Sequence, residues 1–171
     1  MITEQILKSV LNYNPNTGIF IWIKTNRRGF VGKIAGSKRK DGYLQIKIGD
    51  TVYLSHRLAF LYSHGYMSKL IDHIDGNKTN NVISNLRVAT KSQNNANKKL
   101  EPNRNTSGFK GVSLNKATSH LKNPWRAYIM KNKKRIHIGM FSNPIEAAQA
   151  YDAKALELFG EFAKLNFPKM S

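Results

Sequence analysis

The chain has 171 residues, with 28 Lys+Arg against 10 Asp+Glu, and so carries a formal charge of +18. Its hydrophobic share of 40% is enough for packed cores and excludes a disordered polycation, while the lack of cysteine excludes disulfides and cysteine-bound zinc. A field of that sign attracts polyanions, of which nucleic acid is the commonest. Cutting after Asn97 leaves 14 basic and 5 acidic residues on each side, +9 apiece, so neither half is a mere basic tail. The length suits one domain or two small ones. No run approaches the roughly 18 apolar residues of a membrane span, and Met1 opens a mixed amphipathic stretch unlike a signal peptide. The expectation is a soluble, cytoplasmic protein with no membrane partner.

In chain order, Ile6, Leu7, Val10 and Leu11 recur at helical spacing behind a capping Thr3, which predicts a helix over 3–11. Asn14 to Gly18 reads as a turn and Ile19 to Ile23 as a strand. Basic, glycine-punctuated sequence from Lys24 to Gly42 leads into a hairpin, 43–48 and 51–54, about a Gly49-Asp50 turn. Ser55 is expected to cap a helix carrying Leu58, Ala59, Leu61 and Tyr62 that ends near Gly65. Lys69 to Ile74 then reads as a strand, 75–81 as a polar loop and 86–89 as a second strand. Thr90-Lys91-Ser92-Gln93 matches a capping box, so a helix begins at Thr90 and brings Asn94 opposite Asp72 and His73.

The pair Asp72-His73 places a metal-binding carboxylate beside a proton acceptor, the combination that phosphodiester hydrolysis needs. Alone it is weak, because such pairs are usually surface ion pairs or capped turns. Asn77, Asn80 and Asn81 read as turn formers, His56 as a packed or hydrogen-bonded residue beside the core, and His64 as a helix C-terminal residue. The combined spacing of Asp72-His73-Ile74-Asp75-Gly76-Asn77-Lys78, Asn80-Asn81, Ser84-Asn85-Leu86-Arg87 and Asn94 is far more specific. This segment, with Ser55-His56-Arg57-Leu58-Ala59 before it, resembles the HNH endonucleases, nearest to the homing enzymes of phages and introns, over roughly residues 50–97.

The resemblance implies a DNA-cutting enzyme in which His73 is the general base, Asp72 and Asn94 hold one metal ion, and Asn85 braces the loop and the histidine. Asparagine at the last position, where many HNH nucleases have histidine, makes this an H-N-N variant and favours Mg²⁺ or Mn²⁺ over Zn²⁺. Arg87 either clamps a phosphate oxygen or is a solvated or backbone-positioning residue.

Beyond Asn97 the chain is polar as far as Gly108 and reads as a linker. Strands are expected at 111–115, 125–131 and 134–141, the last pair turned at Asn132-Lys133, followed by a helix capped by Asn143 with Pro144 at its first position and running to about Phe159. Trp125, Ala127 and Ile129 alternate with Arg126, Tyr128 and Met130, giving one apolar and one polar sheet face. Residues 98–140 hold 11 basic residues and one acidic, whereas Glu146, Asp152, Glu157 and Glu161 are assigned to the helix, so the positive face lies away from it. Gly111-Val112, Trp125-Arg126-Ala127, Gly139-Met140-Phe141, Glu146 to Asp152 and Asn166-Phe167-Pro168 resemble the plant ethylene-response-factor DNA-binding domain over roughly 106–168. In that family the exposed sheet face contacts DNA, and the matching positions here are Lys110, Ser113, Asn115, Tyr128, Met130, Arg135 and His137. Arg126, Lys131, Lys133 and Lys134 are expected to contact phosphates, or else to be a solvated edge that discourages aggregation.

The resulting expectation is an α+β protein. A ββα-metal HNH nuclease core with a β-rich N-terminal extension fills 1–97 (core about 50–97), 98–105 is a linker, and a three-stranded antiparallel sheet packed on one helix fills 106–171. It would act as a monomer on double-stranded DNA without an obligate protein partner, as a homing or mobile-element endonuclease. The competing reading is a catalytically inactive, transcription-regulator-like DNA-binding protein, and a weaker third is a structured-RNA binder. Residues 1–50 either brace the nuclease core or add a phosphate contact.

Overall fold

The chain, described here from a computed structural model over residues 2–100 and 107–168, divides into two compact units at Ala89/Thr90. In the first unit, Thr3 accepts the Ile6 N–H on its hydroxyl (3.2 Å) and opens α1 (Glu4–Val10). The helix stops one residue short of expectation because Leu11 already begins a strand. β1 (Leu11–Asn14) pairs antiparallel with β2 (Ile19–Trp22), with Leu11 opposite Trp22 and Asn14 opposite Ile19. β3 (Ser37–Lys38), β4 (Leu44–Ile48) and β5 (Thr51–Leu54) form a second sheet in that order. The Gly49-Asp50 hairpin is present, with Gly49 at φ +59.

Helix α2 (Ser55–His64) follows directly. Ser55 is its first residue and not its cap, since Leu54 holds the cap position and makes no side-chain bond there. Gly65 closes it in the left-handed region, its N–H on the Leu61 carbonyl (2.9 Å). β6 (Ile71–His73) and β7 (Leu86–Val88) make a two-stranded antiparallel sheet in which Asp72 faces Arg87 and His73 faces Leu86. One hydrophobic cluster runs through the unit, from Leu7, Leu11, Phe20 and Trp22 through Ile46, Leu58 and Leu61 to Ile71 and Leu86. The N-terminal elements therefore share a hydrophobic core with β6 and β7.

The second unit starts with α3 (Lys91–Ala96), opened by the expected capping box: Thr90 accepts the Gln93 N–H and Gln93 accepts the Thr90 N–H. The division between units thus falls before this helix and not in 98–105; of that expected linker, 101–105 lie outside the described residues. β8 (Val112–Leu114), β9 (Trp125–Lys131) and β10 (Lys134–Phe141) form an antiparallel sheet with β9 central. The Asn132-Lys133 turn has both residues at positive φ (50 and 66), which matches the twist of the flanking strands. A register shift between His137 and Gly139 was not legible in the sequence.

Asn143 caps α4 (Pro144–Phe159) through bonds from the Ile145 and Glu146 N–H groups, and Pro144 stands in its first turn. Its buried stripe is Ala147, Ala148, Tyr151, Asp152, Ala155 and Phe159, and it packs across all three strands. Glu161 lies past the helix end, in the 3-10 turn Gly160–Phe162. The buried Asp152 accepts bonds from the Asn166 and Phe167 N–H groups (2.8 Å each), and Asn166 Oδ1 accepts the Lys110 N–H (2.7 Å), which fastens the C-terminal segment to the start of the sheet. The mixture of helix and sheet is consistent with the expected α+β class. No helix among the described residues is long and apolar enough to cross a membrane.

Candidate active site

Strand β6 carries both residues of the Asp-His pair, and both are only 4% exposed. Alternation sends adjacent strand residues to opposite faces. Asp72 accordingly faces its cross-strand neighbour: Arg87 Nε donates to Asp72 Oδ2 (3.1 Å), and a terminal guanidinium nitrogen lies at the same distance. Arg87 thus holds the carboxylate, and its partner is inside the protein.

His73 points the other way. Its Nε2 lies 3.1 Å from Asn81 Oδ1, and its ring stands edge-on to His56 at 5.0 Å and tilted to Tyr43 at 5.9 Å. Burial pulls its pKa below the ordinary histidine value, against the opposing effects of the Asn81 bond and of Asp75 and Asp72, so the imidazole is neutral near pH 7.

The loop after β6 is tied by side chains. Asn85 accepts the Asp75 N–H on Oδ1 (3.0 Å) and donates through Nδ2 to Asp75 Oδ1 (3.0 Å) and the Asn80 carbonyl (2.9 Å). Burial would raise the Asp75 pKa, but bonds from Asn80, the Asn77 N–H and Asn85 outweigh it and hold the carboxyl below its usual value. Asn85 is thus bonded to both Asp75 and the Asn80 backbone across the loop. Asn94 lies in the second unit, half-buried on α3, its N–H on the Thr90 carbonyl (2.9 Å).

Asn81, read as a turn former, is the loop asparagine that touches His73, and it is 1% exposed. Its neighbour Asn80 shows the turn chemistry expected of both, and adjacency in sequence gave no means of telling them apart. His56 is the second buried histidine, its Nδ1 without a hydrogen-bond partner among the described residues, and burial above all, with His73 and Arg57 nearby, pulls its pKa down to about 3. A folded value below the unfolded 6.5 means that the unfolded chain takes up the proton first as pH falls. Stability should therefore drop between about pH 6 and 4, by about 1.4 kcal/mol per pH unit for this one group. Urea midpoints measured from pH 7 to 4.5 should show a shallower slope in His56→Phe; equal slopes would contradict this assignment.

On the C-terminal sheet, the register places Arg126, Tyr128 and Met130 of β9 beside Ser113 of β8 and Arg135 and His137 of β10. The Arg135 guanidinium lies over the Tyr128 ring (4.7 Å to the centroid) and that of Arg126 near it (5.9 Å). Lys133, Lys134, Arg135 and His137 are exposed and Lys131 half-buried. Lys110 departs from expectation: its ammonium donates to the carbonyls of Ala96 and of Lys98 (2.9 Å) at the end of α3, and burial lowers its pKa to about 8. The last carbonyls of a helix lack intrahelical partners and attract a cation, so this lysine closes α3. Asn115 is likewise engaged locally, accepting the Ala117 N–H (3.3 Å).

Residues 53–96, which span β6, its loop, β7 and α3, match the HNH endonuclease family. The chain is 34% identical over 155 residues to an uncharacterized HNH endonuclease of Acanthamoeba polyphaga mimivirus, covering 87% of this chain and 75% of that protein. It is also 36% identical over 94 residues to Protein 3.8 of Escherichia phage T7, covering 55% of this chain and 73% of that one. No solved structure matches. Identity at this level over most of both sequences shows that the chain belongs to the HNH endonuclease family, and it is a DNA nuclease.

Proposed function

We propose that the protein cuts double-stranded DNA by HNH chemistry, with His73 as the base that takes a proton from the attacking water and the β6–β7 hairpin with α3 as the ββα-metal element. The observation that carries this is the state of His73: buried, neutral, and bonded through Nε2 to an amide oxygen. Arg87 orients the Asp72 carboxylate through the paired contacts on Oδ2. Asn85 and Asp75 keep the intervening loop in one shape.

The donors fit a hard divalent cation. Asp72 offers a carboxylate and Asn94 an amide oxygen, both hard donors. Asp72 and Asn94 would hold Mg²⁺ or Mn²⁺, which supplies charge stabilisation at the attacked phosphate and the departing 3′-oxygen when bound. Supercoiled plasmid should be nicked or linearised with Mg²⁺ or Mn²⁺ and left intact with EDTA. Persistent cleavage in EDTA would overturn metal dependence, and intact plasmid under every condition would favour the inactive, regulator-like reading.

The C-terminal unit serves as the DNA grip, of ethylene-response-factor type, because its polar face gathers cations and an aromatic platform. Replacing Lys131 and Lys134 with glutamine should lower the slope of log affinity against log salt by about 2, close to one for each phosphate no longer neutralised. An unchanged slope would remove the sheet from the interface. With one copy of each module, the protein works as a monomer in the cytoplasm or nucleoid, cutting one strand per binding event, in the manner of a homing or mobile-element enzyme.

A further inference from the structure

The role of the N-terminal hairpin follows from what it holds. Asn81 Oδ1 carries no hydrogen, so the 3.1 Å contact requires His73 Nε2 to be the donor. In a neutral ring the lone pair then sits on Nδ1. Asn81 is itself gripped from β1 and the turn after it. The Tyr13 hydroxyl donates to the Asn81 carbonyl (2.7 Å), and the Ile83 N–H donates to the Pro15 carbonyl (3.0 Å). Gly18, at φ +71, packs so closely that a Cβ there would fall 2.5 Å from the Asn81 carbonyl carbon and the Val82 nitrogen. Tyr13 is only 4% exposed, its ring tilted against Phe20 (4.6 Å) and edge-on to Tyr62 (5.6 Å). A buried line of contacts thus runs from the hairpin core through Tyr13 and Asn81 to the imidazole.

We propose that Asn81 is a positioning residue of the nuclease, holding His73 as its Nε2–H tautomer, and that the hairpin 11–22 is the clamp that keeps Asn81 in place. The proposal rests on His73 being the base. A base with the wrong nitrogen protonated, or with a ring free to rotate, presents its lone pair to the water only part of the time. Loss of such an orienting partner lowers activity by roughly 10- to 100-fold. Tyr13→Phe removes one bond to the clamp and should show a smaller loss of the same kind.

The test uses the full chain, supercoiled plasmid and Mg²⁺, and compares wild type, Asn81→Ala, His73→Ala and the double variant for single-turnover cleavage and DNA affinity. Asn81→Ala should slow cleavage by roughly 10- to 100-fold with affinity unchanged. Free imidazole, which needs no orienting residue, should rescue His73→Ala and the double variant equally. If Asn81→Ala cleaves at the wild-type rate while His73→Ala is inactive, the positioning role is overturned and the base assignment stands. Weaker imidazole rescue in the double variant than in His73→Ala also overturns it, since Asn81 would then act elsewhere. If His73→Ala cleaves at the wild-type rate, the base assignment falls and this proposal with it. ¹⁵N chemical shifts of the wild-type imidazole give a check that needs no variant: an Nδ1–H tautomer for His73 overturns the proposal.

Discussion

Substituting His73 with alanine should abolish plasmid cleavage while leaving DNA binding intact. A positioned general base is worth about 100- to 10,000-fold in rate, which separates this variant from one that is merely weakened. Affinity should survive because it comes from elsewhere: the chain carries +18, and its exposed cations lie at positions other than this buried, neutral ring. The measurement is cleavage of supercoiled plasmid beside gel-shift affinity, with a thermal melt to establish that the variant is folded. Nicking at the wild-type rate by a folded His73→Ala protein would end the assignment of this site.

Gly111→Ala should unfold the C-terminal unit and remove its share of DNA binding. The residue sits at φ +75, where side chains are strained, and an added Cβ would lie 2.1 Å from a Tyr151 ring carbon and 2.7 Å from the Tyr128 carbonyl oxygen. Neither neighbour can yield. Tyr151 is 4% exposed on α4, and the Tyr128 carbonyl belongs to the central strand, whose N–H at the same residue donates to the Gly111 carbonyl (2.9 Å). Strain and overpacking together cost on the order of 4 kcal/mol, a large fraction of the stability of a unit this small. Loss of the unit's melting transition and of its salt-dependent affinity is the expected result. An unchanged melt would mean that the sheet and helix have more room between them than this packing allows.

Much of the local structure was legible in the sequence because its signals are short-range. The Thr90–Gln93 capping box, the Asn143-Pro144 helix start, the Gly49-Asp50 and Asn132-Lys133 turns and the alternation of β9 each depend on residues within a few positions of one another. The strand Leu11–Asn14 was not legible, since Leu11 continues the apolar period of α1 and only its partner Ile19–Trp22 draws it into a sheet. Ser55 failed as a cap for a similar reason: β5 runs straight into α2, leaving it inside the first turn. Asp72, His73 and Asn85 were picked out as candidates by type and spacing. The pairing of Arg87 with Asp72 followed only from the register of β6 and β7, and the inward turn of Lys110 only from the end of α3.

By itself the sequence determined the excess of positive charge, the absence of cysteine chemistry, the run of elements and the residue types of an HNH nuclease, because all of these are carried by composition and spacing. Tertiary structure decided which asparagine touches the histidine and what holds it there. Asn80 and Asn81 are adjacent and chemically identical, yet one bonds the loop carboxylate Asp75 and the other is buried against His73 beneath a hairpin from the start of the chain. The hydrogen bond between Tyr13 and Asn81 joins residues 68 positions apart and depends on where two distant segments meet in one core. No pattern within either segment encodes that meeting.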